Sequence, residues 1–125
     1  MHTILITLIP LLKRSFQREV GGKVNIIFSD AHHTGDGLRS EFENYIKDAL
    51  DEDFILYYDD LETTSMNEYF RKISEYYKEQ GKNITPAFLK VNGWLGQHEH
   101  THLNGIITSL DLKALLPPEV PVHYV

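Results

Sequence analysis

Three histidines alternate along Gln97-His98-Glu99-His100-Thr101-His102. On a strand, alternate side chains share one face, so the imidazoles of His98, His100 and His102 would align. Neutral imidazoles gathered on one face bind zinc, nickel or copper. That pattern supports a metal-binding protein or a metalloenzyme. Two facts weigh against it. Aligned positions are roughly 7 Å apart, far for one ion, and polar alternation is also how an edge strand avoids aggregation.

A second group lies in the loop Ser29-Asp30-Ala31-His32-His33-Thr34-Gly35-Asp36-Gly37. It follows an apolar run, and loops at the carboxyl ends of parallel strands are where ligands usually bind. His32 and His33 are therefore candidate partner contacts, and a joint site with His102 is conceivable. Asp30 could act as a base or a metal ligand, although capping the next helix is the commoner use of such a residue. Trp94, in a hairpin turn, is either a clasp or an interface anchor. The run Asp51, Glu52, Asp53 and the pair Asp59, Asp60 read as solvated loop ends. No Ser–His–acid set and no Gly-rich phosphate loop is recognisable.

The rest of the 125-residue chain bounds what these residues can be asked to do. With 42% hydrophobic and 24% charged residues, it reads as one globular domain over 1–125. A net charge of −6 argues against nucleic acid or an anionic membrane as partner. No cysteine is present, which excludes disulfide oxidoreductase activity, thiolate catalysis and zinc–thiolate sites. The apolar stretch Thr3 to Ile9 is shorter than a membrane span. Its basic residues follow it, unlike those of a signal peptide, so a cytoplasmic location is expected.

Periodicity predicts the order β-α-β-α-β-α-β-β-α, an α/β domain with a central mixed sheet and helices on both faces. Strands are expected at Ile4–Ile9, Val24–Phe28, Phe54–Tyr58, Ala87–Val91 and Gln97–Leu103. Helices are expected where Leu12, Phe16 and Val20, then Leu38 to Leu50, then Met66 to Tyr77, and finally Leu112 to Leu116 give helical spacing. Ser65 with Glu68 forms a capping box, Thr108 or Ser109 can cap the last helix, and 117–125 is an extended tail.

Ile84-Thr85-Pro86-Ala87-Phe88-Leu89-Lys90-Val91-Asn92-Gly93, with Gly105, Ser109, Leu112 and Leu115 after it, resembles the thioredoxin pattern. There a cis-proline precedes an apolar strand that ends in Asn-Gly, and a glycine precedes a capped terminal helix. The resemblance implies a three-layer thioredoxin-like sandwich with a cis Thr85-Pro86 bond beside the His32 loop. The redox pair is replaced by Asp30-Ala31-His32-His33, so the implied protein is non-redox. Pro86-Ala87 and Leu103-Asn104-Gly105-Ile106 are also similar to cysteine-free thioredoxin-like chaperones of hydrogenase maturation. From this resemblance we expect a non-enzymatic, cofactor-free binding or chaperone module. It would hold a protein or extended peptide near Asp30, His32, His33, Thr85, Pro86 and Trp94, by strand addition beside the proline. The alternatives are the metal protein on His98, His100 and His102, and an assembly subunit of a larger complex.

Overall fold

The computed structural model describes residues 3–7, 23–30, 33–92 and 101–125. The described strands are β1 (Thr3–Thr7), β2 (Val24–Asp30), β3 (Leu50–Tyr58), β4 (Thr85–Asn92), β5 (Thr101–Thr108) and β6 (Val122–Tyr124). The helices are α1 (Gly35–Glu41), which runs on into a π-helical turn (Phe42–Ile46), α2 (Thr64–Glu79) and the short α3 (Leu112–Leu115). The strands form one sheet in the order β1-β2-β3-β5-β4-β6. β1, β2 and β3 are parallel. β5 is antiparallel to both β3 and β4, and β6 is antiparallel to β4. The α/β class and the mixed sheet follow the expectation.

Strand alternation sends Ile27, Leu56 and Tyr58 to one face, where they meet Leu38, Phe42 and Ile46 and the α2 stripe of Met66, Phe70, Ile73 and Tyr77. Aromatic rings lock this layer edge to face, with Phe42–Tyr77 centroids 5.7 Å apart and Tyr58–Phe70 5.9 Å apart. The opposite face gathers Ala87, Leu89 and Ile106 under Leu112 of α3. Helices therefore cover both faces.

Several local expectations fail for identifiable reasons. α2 is capped by Thr63, whose Oγ1 accepts from the Met66 N–H at 3.3 Å. Ser65 instead accepts from the Gly35 N–H at 3.1 Å and ties the start of α1 to the start of α2. The approach is so close that a Cβ on Gly35 would lie 2.8 Å from the Ser65 carbonyl oxygen. Asp111, not Thr108 or Ser109, caps α3, because both hydroxyls are bonded to the Phe54 backbone. Asp51 to Asp53 are not a loop end but the exposed first part of β3. The tail is extended as expected and docks on the domain's own sheet: β6 pairs with β4, and the Val125 N–H donates to the Pro86 carbonyl at 3.0 Å. The expected helix through Leu12, Phe16 and Val20 lies outside the described residues.

The thioredoxin-like architecture is not what the chain adopts. The resemblance requires β5 at an edge, but it sits between β3 and β4. Gly105 lies inside β5, not at its end. A Cβ there would fall 2.6 Å from the Phe70 ring, so glycine lets α2 settle onto the strand. No peptide bond among the described residues is cis, Thr85-Pro86 included. Because β4 runs parallel to β2 and β3, Thr85 and Pro86 start it at the amino end of the sheet, opposite Asp30 and His33. The proline and the histidine loop cannot form one site.

Candidate functional site

The carboxyl ends of β2 and β3 and the amino end of antiparallel β5 meet at one rim of the sheet. Asp30 ends β2, Asp59 and Asp60 follow β3, and His102 is the second residue of β5. Three hydrogen bonds stitch the chain leaving β3 between its neighbours. The Asp59 N–H donates to the Ser29 carbonyl at 2.9 Å, and the Leu61 N–H donates to the Leu103 carbonyl at 2.6 Å. Between them the Asp60 N–H donates to Asn104 Oδ1 at 2.9 Å. Asp60 has φ of 59°, and no other non-glycine residue described here has a positive φ. That conformation costs roughly 1–2 kcal/mol for a residue with a Cβ. Leu61, fully buried, fixes the far side of the turn.

This turn delivers Asp60 to two histidines. Its Oδ2 lies 3.2 Å from His33 Nδ1. Asp60, Glu62 and His102 each place a donor atom within 4.8 Å of the other two, and Glu62 Oε1 lies 3.8 Å from His102 Nδ1. An ion with bonds of ~2.1 Å wants neighbouring donors about 3 Å apart, so modest side-chain rotations would close this set on one cation. Asp59 registers the same convergence. Burial pushes its carboxyl up, the Asp30 and Asp60 charges push it further, and His102 and His33 oppose them.

Beneath the rim lies a further carboxyl that sequence reasoning missed. Glu41 on α1 is buried, and its Oε1 accepts from the Ser29 hydroxyl. Its Oε2 has no hydrogen-bond partner in the structure. Burial raises its pKa to about 7, the Ser29 bond opposes the rise, and the Asp30 charge adds to it. A glutamate on the inward side of an amphipathic helix, three residues after Leu38, was the available signal.

Of the predicted site residues, the structure brings His33 and His102 together through Asp60 and sets Asp30 on the same rim. Thr85 and Pro86 lie at the other end of the sheet. Pro86 is buried, and its carbonyl is already used by the tail. His32, Trp94, His98 and His100 lie outside the described residues. Asp60, which reads in sequence as a solvated loop end, is the centre of the cluster; Glu62 carries no motif, and Asn104 enters only through the Leu103-Asn104-Gly105-Ile106 resemblance, which assigns it no role. Among the described residues no helix is long and apolar enough to cross a membrane.

No family model matches the sequence, and no curated protein matches it. Among solved structures, the chain is similar to an O-methyltransferase from Bacillus cereus, crystallised in complex with SAH. Identity is 14% and the TM-score 0.48, over 78% of this chain and 47% of that one. The chain thus spans about half the length of that enzyme. A likeness of that size leaves the enzyme's chemistry with the enzyme. The thioredoxin resemblance is contradicted by the sheet order and the trans proline. The chaperone reading falls with that resemblance, and so does the expectation of a cofactor-free module, which rested on it. Of the three histidines in the metal reading, His98 and His100 lie outside the described residues, and His102 faces carboxylates.

Proposed function

We propose that this chain is a divalent-cation-binding α/β domain, with Asp60, Glu62 and His102 as the protein ligands. The observation that carries the reading is the gathering of those three donors within 4.8 Å, from a turn after β3 and the start of β5. This is a different set from the three alternating histidines, and a harder one. Two carboxylates and one imidazole suit Mn²⁺ or Mg²⁺ better than a soft ion. A cation there would relieve the repulsion among Asp30, Asp59 and Asp60. Three protein ligands leave about three positions of a six-coordinate ion for water or an oxygen-bearing ligand.

A Mn²⁺ titration of the full chain, followed by electron paramagnetic resonance and calorimetry, tests this reading. We expect saturable binding of one ion, weakened at least tenfold in Glu62→Gln and in Asp60→Asn and retained when His98 and His100 are both replaced by alanine. Unsaturable binding, or affinity unchanged in Glu62→Gln, would sink the proposal.

A further inference from the structure

The rim is held by more than its ligands. Asn104 is 3% exposed on β5, two residues from His102 and so on the same face of the strand. Both ends of its amide are used. Oδ1 accepts from the Asp60 N–H at 2.9 Å, and Nδ2 donates to the Tyr57 hydroxyl at 2.6 Å. Tyr57 is itself fixed, since its ring stacks on Phe28 with centroids 5.1 Å apart and planes 14° from parallel. The chain Phe28–Tyr57–Asn104–Asp60 thus runs from the sheet face to the residue with the left-handed backbone.

We infer that Asn104 is a positioning residue, which holds Asp60 in its left-handed conformation and thereby aims the Asp60 carboxylate at His33, Glu62 and His102. The physical case is local. The turn after β3 must pass from a bond with β2 to a bond with β5 over Asp59, Asp60 and Leu61. The Asp60 N–H points away from both strands' backbones and needs an acceptor of its own. A part-buried N–H left without one is unfavourable, and that cost would add to the cost of the left-handed backbone. Relaxing Asp60 to an ordinary φ would swing its side chain off the rim. Asparagine satisfies both demands at once without adding a charge to the rim, since it accepts from the Asp60 N–H and donates to the Tyr57 hydroxyl.

The inference extends the cation reading, and the experiment separates the two. Asn104→Leu is made in the wild-type chain and in an Asp60→Ala background, with Tyr57→Phe as a milder variant that leaves the Asp60 bond in place but frees the Asn104 amide. Mn²⁺ affinity, urea stability and the backbone chemical shifts of Asp60 are measured for each. Asn104→Leu is expected to weaken Mn²⁺ on the order of tenfold, as loss of an outer partner does. It should have no further effect on Mn²⁺ once Asp60 is alanine, while its cost in stability is similar in both backgrounds. The Asp60 shifts should leave their left-handed values in Asn104→Leu and move partway in Tyr57→Phe. Unchanged Asp60 shifts in both variants overturn the inference. If the wild-type chain binds no Mn²⁺, the cation reading fails, and the positioning role is decided by the Asp60 shifts alone. If Asn104→Leu does not fold, Tyr57→Phe decides it by the same readings.

Discussion

The layer between the sheet and α2 and the rim at the carboxyl end of the same strands are built on opposite terms. In the layer, Tyr58, Phe70, Ile73 and Tyr77 are buried against one another, and what holds them is apolar area and ring geometry. At the rim, Asp30, Asp59, Asp60, Glu62, His33 and His102 converge with little apolar cover. The rim also holds a left-handed aspartate and, just below it, a buried carboxyl with an unpaired oxygen. The layer is held by its apolar area, although the buried Tyr58 and Tyr77 hydroxyls lack a hydrogen-bond partner. The rim has its polar demand only partly met, which is how binding sites commonly depart from the rules that the rest of a fold obeys.

The contrast can be broken most forcefully at Phe70. Its ring meets Tyr58, Phe88 and the bare backbone of Gly105. Phe70→Ala should cost about 3–5 kcal/mol, since it removes a buried ring and leaves a cavity against a glycine that cannot fill it. Urea denaturation measures the loss. Mn²⁺ affinity of the fraction still folded should be unchanged, and a parallel fall in both would mean that core and rim are one unit.

Glu41 sits where the two regions meet, and it gives the next largest effect. Its folded-state pKa, about 7, lies above the reference 4.5, so the folded chain holds this proton more tightly than the unfolded one. The sign follows from that difference. Below about pH 4.5 both states are protonated and nothing is lost. Stability declines as the pH rises toward 7, where the folded carboxyl must also ionise. Glu41→Gln keeps an acceptor for Ser29 and removes the titration. Its advantage over the wild type should be small at pH 4.5 and grow to at most ~3 kcal/mol by pH 8. A stability difference that does not change with pH would show that Glu41 is already ionised in the folded chain.

What could be read in advance divides along the same line. The apolar stripes of Met66, Phe70, Ile73 and Tyr77 and of Leu38, Phe42 and Ile46, and the apolar cores of β2, β3 and β4, were legible because burial imposes a period on the sequence. The place of β5 was not, because the strand expected at Gln97–Leu103 stops short of Ile106 and Ile107, the buried pair within the observed Thr101–Thr108. That single shortfall let a proline, a glycine and an Asn-Gly pair suggest the wrong architecture. The rim was legible only as scattered charges. Asp60 and His102 are 42 residues apart, and what joins them is the insertion of β5 beside β3, which no spacing encodes. Asp30, His33 and His102 were singled out because a strand end and an imidazole have chemical meaning alone. Asp60, Glu62 and Asn104 have it only together.

The smallest predicted change in stability sharpens the comparison most, because it should carry the opposite sign. Asp60 has a left-handed backbone that glycine adopts freely, and its carboxylate sits among the other acids of the rim. Asp60→Gly keeps the N–H that Asn104 accepts from, relieves the backbone, and removes one charge from the Asp30–Asp59–Asp60 group. Against this stands the loss of the half-exposed contact with His33, which is worth little once solvent screens it, and the greater entropy of glycine in the unfolded chain. The balance should leave the variant as stable as the wild type or up to about 1 kcal/mol more stable, measured by urea denaturation, while Mn²⁺ binding falls at least tenfold. Such a result is expected where a strained residue is kept for what it binds. A clear loss of stability with cation binding intact would make Asp60 a structural residue and return the rim to the same terms as the core.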